Sequence, residues 1–341
     1  MWNLMAIHII GLATNSHWSS VSRRNLMLRP LFDPHNGLLA EARSGKLLPP
    51  VWVVIPVAFV IVIVAQFGAL PITLFFLLRR LPDLSVLAAG DMEALLPLML
   101  PQTTFEQMLL LVSAFVGIYF LLALWVWAVE GRSWRTMGLQ GQGQLFKFGR
   151  GFGFGALMFV VVVIVGMLFG LYQVEVNPAL SLRIIGGVLV VLIGWLAQGP
   201  AEELLFRGWV LPVVSARHAV WLGIIVSSVM FAVVHIGNFG ISILAVVNLL
   251  LFGLFTAAYA LYEESVWGVF GIHAVWNWAQ GNIFGLAVSG NPATADSLFV
   301  TQATGAEILT GGSFGPEGGL LVSFVLGAVI GILFWRTGNI H

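Results

Sequence analysis

The stretch that decides how this chain folds lies inside a long apolar run between residues 184 and 214. It reads Gly199-Pro200-Ala201-Glu202-Glu203-Leu204-Leu205-Phe206-Arg207-Gly208-Trp209. A charged side chain in hydrocarbon costs several kcal/mol, so a membrane protein keeps one only where it is paired or used. Glu203 and Arg207 stand four residues apart, on one helix face, and can pair. Glu202 points about 100° away from Glu203 and has no partner in its own helix. Its partner must therefore come from elsewhere in the chain.

Two later apolar stretches carry polar residues that could meet Glu202. They read Phe231-x-x-x-His235 and His273-x-x-x-Asn277. Depths can be counted from the inner ends of the three segments, at the helical rise of about 1.5 Å per residue. Glu202 and Asn277 then lie about 18 Å deep, His235 about 24 Å and His273 about 12 Å. These depths agree to within a helical turn or so at each end. The spacing therefore predicts that side chains from three helices meet at one level inside a membrane.

The composition is that of a membrane protein. Of the 341 residues, 59% are hydrophobic and 9% are charged, whereas soluble domains carry about 25% charged residues. The net charge is zero, so we expect no nucleic-acid partner. The absence of cysteine excludes disulfides, thiolate catalysis and cysteine-bound metals. Histidines and carboxylates are then the only candidates for acid–base groups or metal ligands.

Eight apolar segments are long enough to cross a bilayer, which takes about 20 residues. They cover residues 51–78, 107–129, 152–172, 184–212, 219–237, 240–261, 265–288 and 318–335. The sequence thus predicts an all-α polytopic membrane protein with about eight transmembrane helices. Residues 1–50 are expected to form a cytoplasmic arm, 51–335 one membrane domain and 336–341 a short cytoplasmic tail. The segment 289–318, rich in Gly, Thr and Ala, is expected to be an irregular outer loop.

The distribution of basic residues predicts the orientation. With the N-terminus inside, only Arg79, Arg80 and Arg183 of the 15 Lys and Arg residues fall on outer segments. Because an excess of Lys and Arg marks the cytoplasmic side, both termini are expected in the cytoplasm. The location would be the plasma membrane if the source is prokaryotic. We also expect the site to open towards the cytoplasmic side.

The predicted cluster contains the parts of a hydrolytic site. A glutamate beside a histidine, such as Glu202 and His235, can act as general base for a water molecule. A second histidine with an asparagine one turn along, His273 and Asn277, can donate hydrogen bonds to the oxyanion that forms when water attacks an amide. Glu202, His235 and His273 could instead hold zinc with an open position, although the spacing H-E-x-x-H is lacking. The residues alone leave both alternatives open.

At these residues the chain resembles the CPBP (Abi) family of intramembrane proteases, which includes the type II CAAX prenyl protease. The resemblance rests on three motifs, in order on three late helices, over about residues 184–288: Glu202-Glu203-x-x-x-Arg207, Phe231-x-x-x-His235 and His273-x-x-x-Asn277. It implies a CPBP-like catalytic core in which Glu202 and His235 activate the water while His273 and Asn277 hold the oxyanion. The family is often described as metalloproteases, but a glutamate-dependent mechanism without metal has also been argued for its prenyl proteases.

Three further residues are expected to support the site. The resemblance implies that Glu203 and Arg207 brace it, which agrees with a structural ion pair. Phe231 is expected to pack in the core beside His235. For Asn277, a helix–helix hydrogen bond is a competing role.

The sequence therefore favours an intramembrane endopeptidase that cleaves a membrane-associated protein or peptide, with or without a lipid attached. Its partners would be the lipid bilayer and that substrate. No cofactor is favoured, and zinc is the alternative. Two other classes stay open: a non-catalytic scaffold or immunity factor, and a membrane protein that couples protons or ions through the same cluster. The lack of an inverted repeat argues against a transporter.

Overall fold

The computed structural model describes residues 31–81, 90–293 and 296–338. Residues 1–30 of the predicted arm and residues 339–341 of the predicted tail lie outside the described residues. The helices are α1 Gly37–Arg43, α2 Val51–Gln66, α3 Leu70–Arg80, α4 Met92–Met99, α5 Thr104–Ala128, α6 Gln144–Leu168, α7 Leu182–Glu203, α8 Leu211–Arg217, α9 Val220–Val233, α10 Ile243–Glu263, α11 Trp267–Trp278, α12 Glu307–Thr310 and α13 Leu320–Gly338.

The prediction of a helical, multi-pass membrane protein is confirmed in its coarse form. Within the described residues, five helical stretches are long and apolar enough to cross a membrane: Val51–Arg80, Thr104–Ala128, Gln144–Leu168, Leu182–Arg217 and Ile243–Glu263. Shorter apolar helices cover Val220–Val233 and Leu320–Arg336. Each of the eight predicted segments contains a helix, but the fifth is shorter than predicted. The chain turns after Val233, and Gly240 in that turn has a φ of +71°.

Side-chain caps set where several of the long helices begin. Thr103 accepts a hydrogen bond from the backbone N–H of Glu106 at the start of α5. Ser181 caps α7 in the same way, and Ser242 caps α10. Such caps satisfy backbone donors that the first turn leaves free. They explain why α5 begins three residues before the predicted apolar segment.

A two-stranded antiparallel sheet, which the sequence analysis did not predict, joins two outer segments. Strand β1 is Tyr172–Val176 and strand β2 is Phe299–Ala303, with Tyr172 opposite Ala303 and Val176 opposite Phe299. The expectation of an irregular 289–318 loop is wrong for this part. Valine and an aromatic residue, both of which favour strands, occur in each of the five-residue stretches. The sheet connects the C-terminal end of α6 to the 289–318 segment.

Segments that the sequence places on the same side of a membrane contact each other in the structure. At the inner end, the buried Asn36 donates a hydrogen bond to the backbone oxygen of Leu261 over 2.8 Å. At the outer end, the side chain of Asn177 donates to the backbone oxygen of Ser297 over 2.8 Å. Residues 31–50 of the predicted arm therefore pack on the end of the bundle that the loop charges assign to the cytoplasm. The alternation of segments agrees with the predicted order of spans.

Helices α6 and α11 approach closely through glycines. A Cβ atom on Gly151 would lie 2.0 Å from the backbone oxygen of Gly268, and one on Gly155 would lie 2.8 Å from the Cα of Ile272. Absent side chains allow backbones to pack this tightly in membrane bundles. Because α11 carries His273 and Asn277, this contact positions part of the polar cluster.

We expect Gly151→Ala to lower the free energy of unfolding by about 1–3 kcal/mol, since overpacking forces the two helices apart. Gly153→Ala is the matched control: it lies on the same helix, and a Cβ there meets nothing within 4 Å. Thermal unfolding of both variants in the same detergent measures the difference. Equal melting temperatures for the two variants would contradict the packing role.

Two of the long helices continue into π-helical turns at or just after their polar motifs. Helix α7 is followed by the π-helical segment Leu204–Val210, which includes Arg207 and continues into α8. Helix α11 is followed by the segment Ala279–Ile283, which begins two residues after Asn277. Turns of this kind are rare and often lie at functional sites. Helices α7 and α11, which supply most of the cluster, therefore each have a wider helical turn beside it.

Candidate active site

One glutamate and two histidines meet at a single point within the bundle. Glu202 lies in the last turn of α7, His235 follows the end of α9, and His273 lies in the middle of α11. Oε2 of Glu202 is 3.9 Å from Nε2 of His235 and 3.8 Å from Nε2 of His273. The exposed fractions of the three residues are 7%, 9% and 4%. The structure thus brings together the three residues that the sequence predicted to meet.

The oxygen that faces both imidazoles has no hydrogen-bond partner. Oε2 of Glu202 is buried and unpaired within the part of the chain that the structure describes. Nδ1 of His235 lies 2.7 Å from the backbone oxygen of Phe231. A carbonyl oxygen can only accept, so Nδ1 carries the proton and Nε2 of the neutral ring is an acceptor. Two acceptors, Oε2 and Nε2, therefore face each other across a gap that a water molecule can bridge.

Glu203 connects the second histidine to the buried arginine. Its Oε1 accepts a hydrogen bond from Nδ1 of His273 over 2.9 Å, and its Oε2 lies 3.2 Å from Nε of Arg207. The Arg207 side chain is fully buried, and its guanidinium carbon lies 4.5 Å from the centre of the Phe231 ring. Glu203 thereby fixes the orientation of His273, and Arg207 with Phe231 fixes Glu203.

Phe231 occupies the centre of the aromatic packing around the site. Its ring centre lies 4.8 Å from that of His235 and 5.9 Å from that of His273. It also makes an edge contact with Phe206, at 5.7 Å between ring centres. Both expectations for Phe231, core packing and contact with His235, agree with these distances.

Sequence analysis missed Gln198, which links Asn277 to Glu202. Nε2 of Gln198 donates to Oε1 of Glu202 over 2.9 Å, and Nδ2 of Asn277 donates to Oε1 of Gln198 over 2.8 Å. Gln198 precedes Glu202 by one helical turn, so the two share a face. That spacing could have identified Gln198 from the sequence. Asn277 therefore lies in the cluster, where its amide holds Gln198 and through it one oxygen of Glu202.

A cavity of about 550 Å³ contains these groups, which is within the usual range for small-molecule sites. Gln66, Leu100 and Asn291 line the cavity and are exposed, so it reaches the protein surface there. The loop charges assign this end of the bundle to the outside. The cavity therefore opens at the end opposite to the one expected from the sequence.

A larger cavity, of about 1020 Å³, lies towards the other end of the bundle. Trp134, Arg135 and Trp267 are among its lining residues, and neither Glu202 nor either histidine of the cluster lines it. Size alone would therefore select the wrong cavity. The smaller one holds the acid–base groups.

Glu317, also missed from the sequence, is a second carboxylate in the 550 Å³ cavity. Its Oε2 accepts hydrogen bonds from the backbone N–H of Ser289 over 2.6 Å, from Oγ of Ser289 over 2.8 Å and from Nε2 of Gln280 over 3.2 Å. Burial raises the pKa of Glu317, and these donors, with nearby His235, act in the opposite direction. No motif marks this residue, because it lies in the segment that the sequence predicted to be an irregular loop.

A buried carboxylate with two imidazoles inside a multi-pass helical bundle is consistent with the active site of a membrane-embedded hydrolase. Comparison with known families agrees: residues 184–279 match the family described as type II CAAX prenyl endopeptidase, Rce1-like. The matched stretch carries Glu202, Glu203, Arg207, His235, His273 and Asn277. No curated protein and no solved structure matches the chain. The resemblance seen in the three motifs is thereby confirmed.

Proposed function

We propose that the protein is an intramembrane endopeptidase that hydrolyses a peptide bond of a membrane-associated protein or peptide, with water activated by Glu202 and His235. The family domain implies a peptidase with a protein substrate, in that family a prenylated one. The observation that carries the proposal is the unpaired, buried Oε2 of Glu202 facing two imidazole Nε2 atoms. A fold likeness alone would not assign the chemistry.

In this mechanism a water molecule lies between Oε2 of Glu202 and Nε2 of His235. Glu202 takes a proton from the water while the water oxygen adds to the carbonyl carbon of the substrate. The resulting oxyanion accepts hydrogen bonds from His273 and Asn277. The C–N bond then breaks, and the leaving amine takes the proton from Glu202. His273 can donate from Nε2 only as the imidazolium, because its Nδ1 donates to Glu203, whose carboxylate supplies the counter-charge.

Zinc is the alternative way to activate the water, and the side chains meet part of its requirements. Both histidines have Nδ1 held by a backbone oxygen or a carboxylate, which is typical of metal-binding histidines. However, ligands of one tetrahedral zinc ion lie about 3.3 Å apart, and Glu202 is 3.8–3.9 Å from each Nε2. Among the described residues, no group of three His, Asp or Glu is close enough to hold a metal. We therefore propose the glutamate–histidine route.

A chelation experiment separates the two routes. We expect the purified protein to keep its peptidase activity after dialysis against a strong zinc chelator, because no step of the proposed route requires a metal. Metal content by mass spectrometry, measured on the same samples, should be far below one ion per chain. Activity that falls on chelation and returns with added zinc would overturn the metal-free route. Neither outcome changes the peptidase proposal itself.

We further propose eight spans with both termini in the cytoplasm, which the distribution of Lys and Arg supports. Contacts within each end of the bundle agree with the order of spans. Reporter fusions at Gly141 and Gly305, in loops at opposite ends, provide the measurement. We expect the Gly141 fusion to report the cytoplasm and the Gly305 fusion the outside. The reverse pattern would refute the orientation.

A further inference from the structure

The larger cavity, of about 1020 Å³, is a groove that opens to the side of the bundle. Val116 and Phe120 of α5 line it, and these two residues are 54% and 69% exposed. Because α5 is long and apolar enough to span a membrane, exposed apolar residues near its middle face hydrocarbon. Leu196, Pro200 and Leu204 of α7 also line the groove. Lipid chains are therefore the molecules that surround its open side.

The polar side chains along the walls of this groove already have partners within the protein. Oη of Tyr119 donates a hydrogen bond to the backbone oxygen of Ala197 over 2.9 Å, and Nε1 of Trp267 donates to that of Leu139 over 3.2 Å. Pro200 has no backbone N–H to offer. A polar group between these walls would lose its hydrogen bonds with water and gain none in return, which is costly. The walls therefore favour an apolar chain.

One end of the groove is polar and carries a single charged side chain. Arg135, Gln140 and Gln144 line it there, in or beside the loop between α5 and α6, together with no described Asp or Glu. The exposed guanidinium of Arg135 forms no ion pair with a described carboxylate, whereas that of Arg132 in the same loop pairs with Glu130. An arginine stays charged at any physiological pH. This end can therefore bind an anion.

The polar end of the groove coincides with one surface of the membrane. Trp134 and Trp267 line it, and tryptophan is enriched where helices meet the membrane–water interface. The loop charges assign this end to the cytoplasm, where anionic lipids give the leaflet a negative surface potential. An arginine at the interface, with apolar walls extending into the membrane, is complementary to a lipid that has a negative headgroup.

We propose that this groove binds one anionic phospholipid of the cytoplasmic leaflet, with its phosphate on Arg135 and an acyl chain between α5 and α7. This lipid site is separate from peptide hydrolysis and does not depend on it. The chain would contact Pro200 and Leu204, whereas Glu202 on the same helix lines the 550 Å³ cavity. Two residues along a helix correspond to a rotation of about 200°. The lipid and Glu202 would thus lie on opposite faces of α7.

The test uses the purified full-length protein, stripped of lipid in detergent, and native mass spectrometry to count bound lipids. Dioleoylphosphatidylglycerol is the anionic probe, and dioleoylphosphatidylcholine is the zwitterionic control with the same chains. We expect one phosphatidylglycerol to bind with a Kd about fivefold below that of phosphatidylcholine, which is the effect of one basic residue near a charged membrane surface. Phosphatidylglycerol should also raise the melting temperature, because it binds the folded state. Equal Kd values would refute the anionic headgroup.

A first pair of variants tests the headgroup contact. Arg135→Gln should weaken phosphatidylglycerol binding about fivefold, to the level of phosphatidylcholine, and leave phosphatidylcholine unchanged. Lys46→Gln is the matched control, since Lys46 is exposed at the same end of the bundle and does not line the groove. It should change neither Kd. A preference that persists in Arg135→Gln, or falls equally in Lys46→Gln, would refute Arg135 as the phosphate ligand.

A second pair of variants tests where the acyl chain lies. Ala123 of α5 lines the groove, so Ala123→Phe should fill part of it and weaken both lipids about tenfold, the equivalent of about two buried methylene groups. Ala128→Phe is the control, because Ala128 is exposed on the same helix and lies outside the groove. Unchanged binding in Ala123→Phe would refute the groove as the site. Since the readout is lipid binding, the peptidase proposal stands or fails independently.

Discussion

Glu202→Gln should abolish peptide hydrolysis while the protein remains folded and binds substrate. Loss of a general base reduces turnover by about 10²–10⁴-fold. The amide has the shape of the carboxylate, and its oxygen can still accept the hydrogen bond that Gln198 donates to Oε1. Its NH₂ group would replace Oε2 and can donate to Nε2 of His235. We therefore expect an unchanged melting temperature, with the loss seen in kcat on a selected peptide substrate.

Gln198→Ala serves as a graded comparison for this variant. It removes the hydrogen bonds to Glu202 and Asn277 but leaves the carboxylate able to accept a proton. A hydrogen bond to a charged group contributes about 1.5–3 kcal/mol, so turnover should fall by about 10–100-fold. Gln173→Ala, on the exposed face of β1, is the control and should be fully active. Unchanged activity in Glu202→Gln would remove Glu202 from the mechanism.

The second large effect is on stability: Glu203→Ala and Arg207→Ala should each unfold far more easily than the parent. Both side chains are completely buried, and removing one leaves the other as an unpaired buried charge, which costs about 3–5 kcal/mol. Arg207 would keep only its contacts with the rings of Phe206 and Phe231. Denaturant titration of the protein in detergent measures the loss in free energy of unfolding.

An ion pair with an exposed arginine provides the control for that experiment. Arg183 lies 3.5 Å from Asp296, and its side chain is 76% exposed, so Arg183→Ala should cost no more than about 1 kcal/mol. The double variant Glu203→Ala with Arg207→Ala removes both charges. It should be more stable than the sum of the two single effects predicts, because no charge is left stranded. Strictly additive losses would show that the pair is not coupled.

The charged and ionisable part of the site could be predicted because such residues are costly in an apolar helix. That cost identified Glu202, Glu203 and Arg207, and the helical rise placed His235 and His273 at a common depth. Gln198 carries no charge and therefore did not stand out from its apolar neighbours. Glu317 reaches the cavity through the packing of the 289–318 segment, which no periodic pattern encodes.

The helices were predictable for a related reason: long apolar stretches determine them, whereas short elements depend on contacts that are distant in sequence. Strands β1 and β2 have only five residues each and are stabilised by pairing with each other. The length of α9 likewise depends on the turn at Gly240, which lies within an otherwise apolar region. The chain thus turns near His235 instead of continuing as a helix, so the direction in which the cavity opens could not be inferred from hydropathy.

The π-helical turns at Leu204–Val210 and Ala279–Ile283 affect how the two motif helices can vary in length. A π-helical turn holds one residue more than an α-helical turn, and one residue corresponds to about 100° of rotation. An insertion or deletion after Arg207 in the first segment, or within the second, can therefore be absorbed by tightening or widening the turn. The helix before the turn, which carries Glu202 or His273, then keeps its orientation, whereas a change between Glu203 and Arg207 would break their i,i+4 pairing. Relatives of different length can keep the same site geometry in this way, and sequence alignments should place gaps after Arg207 in the first turn or within the second.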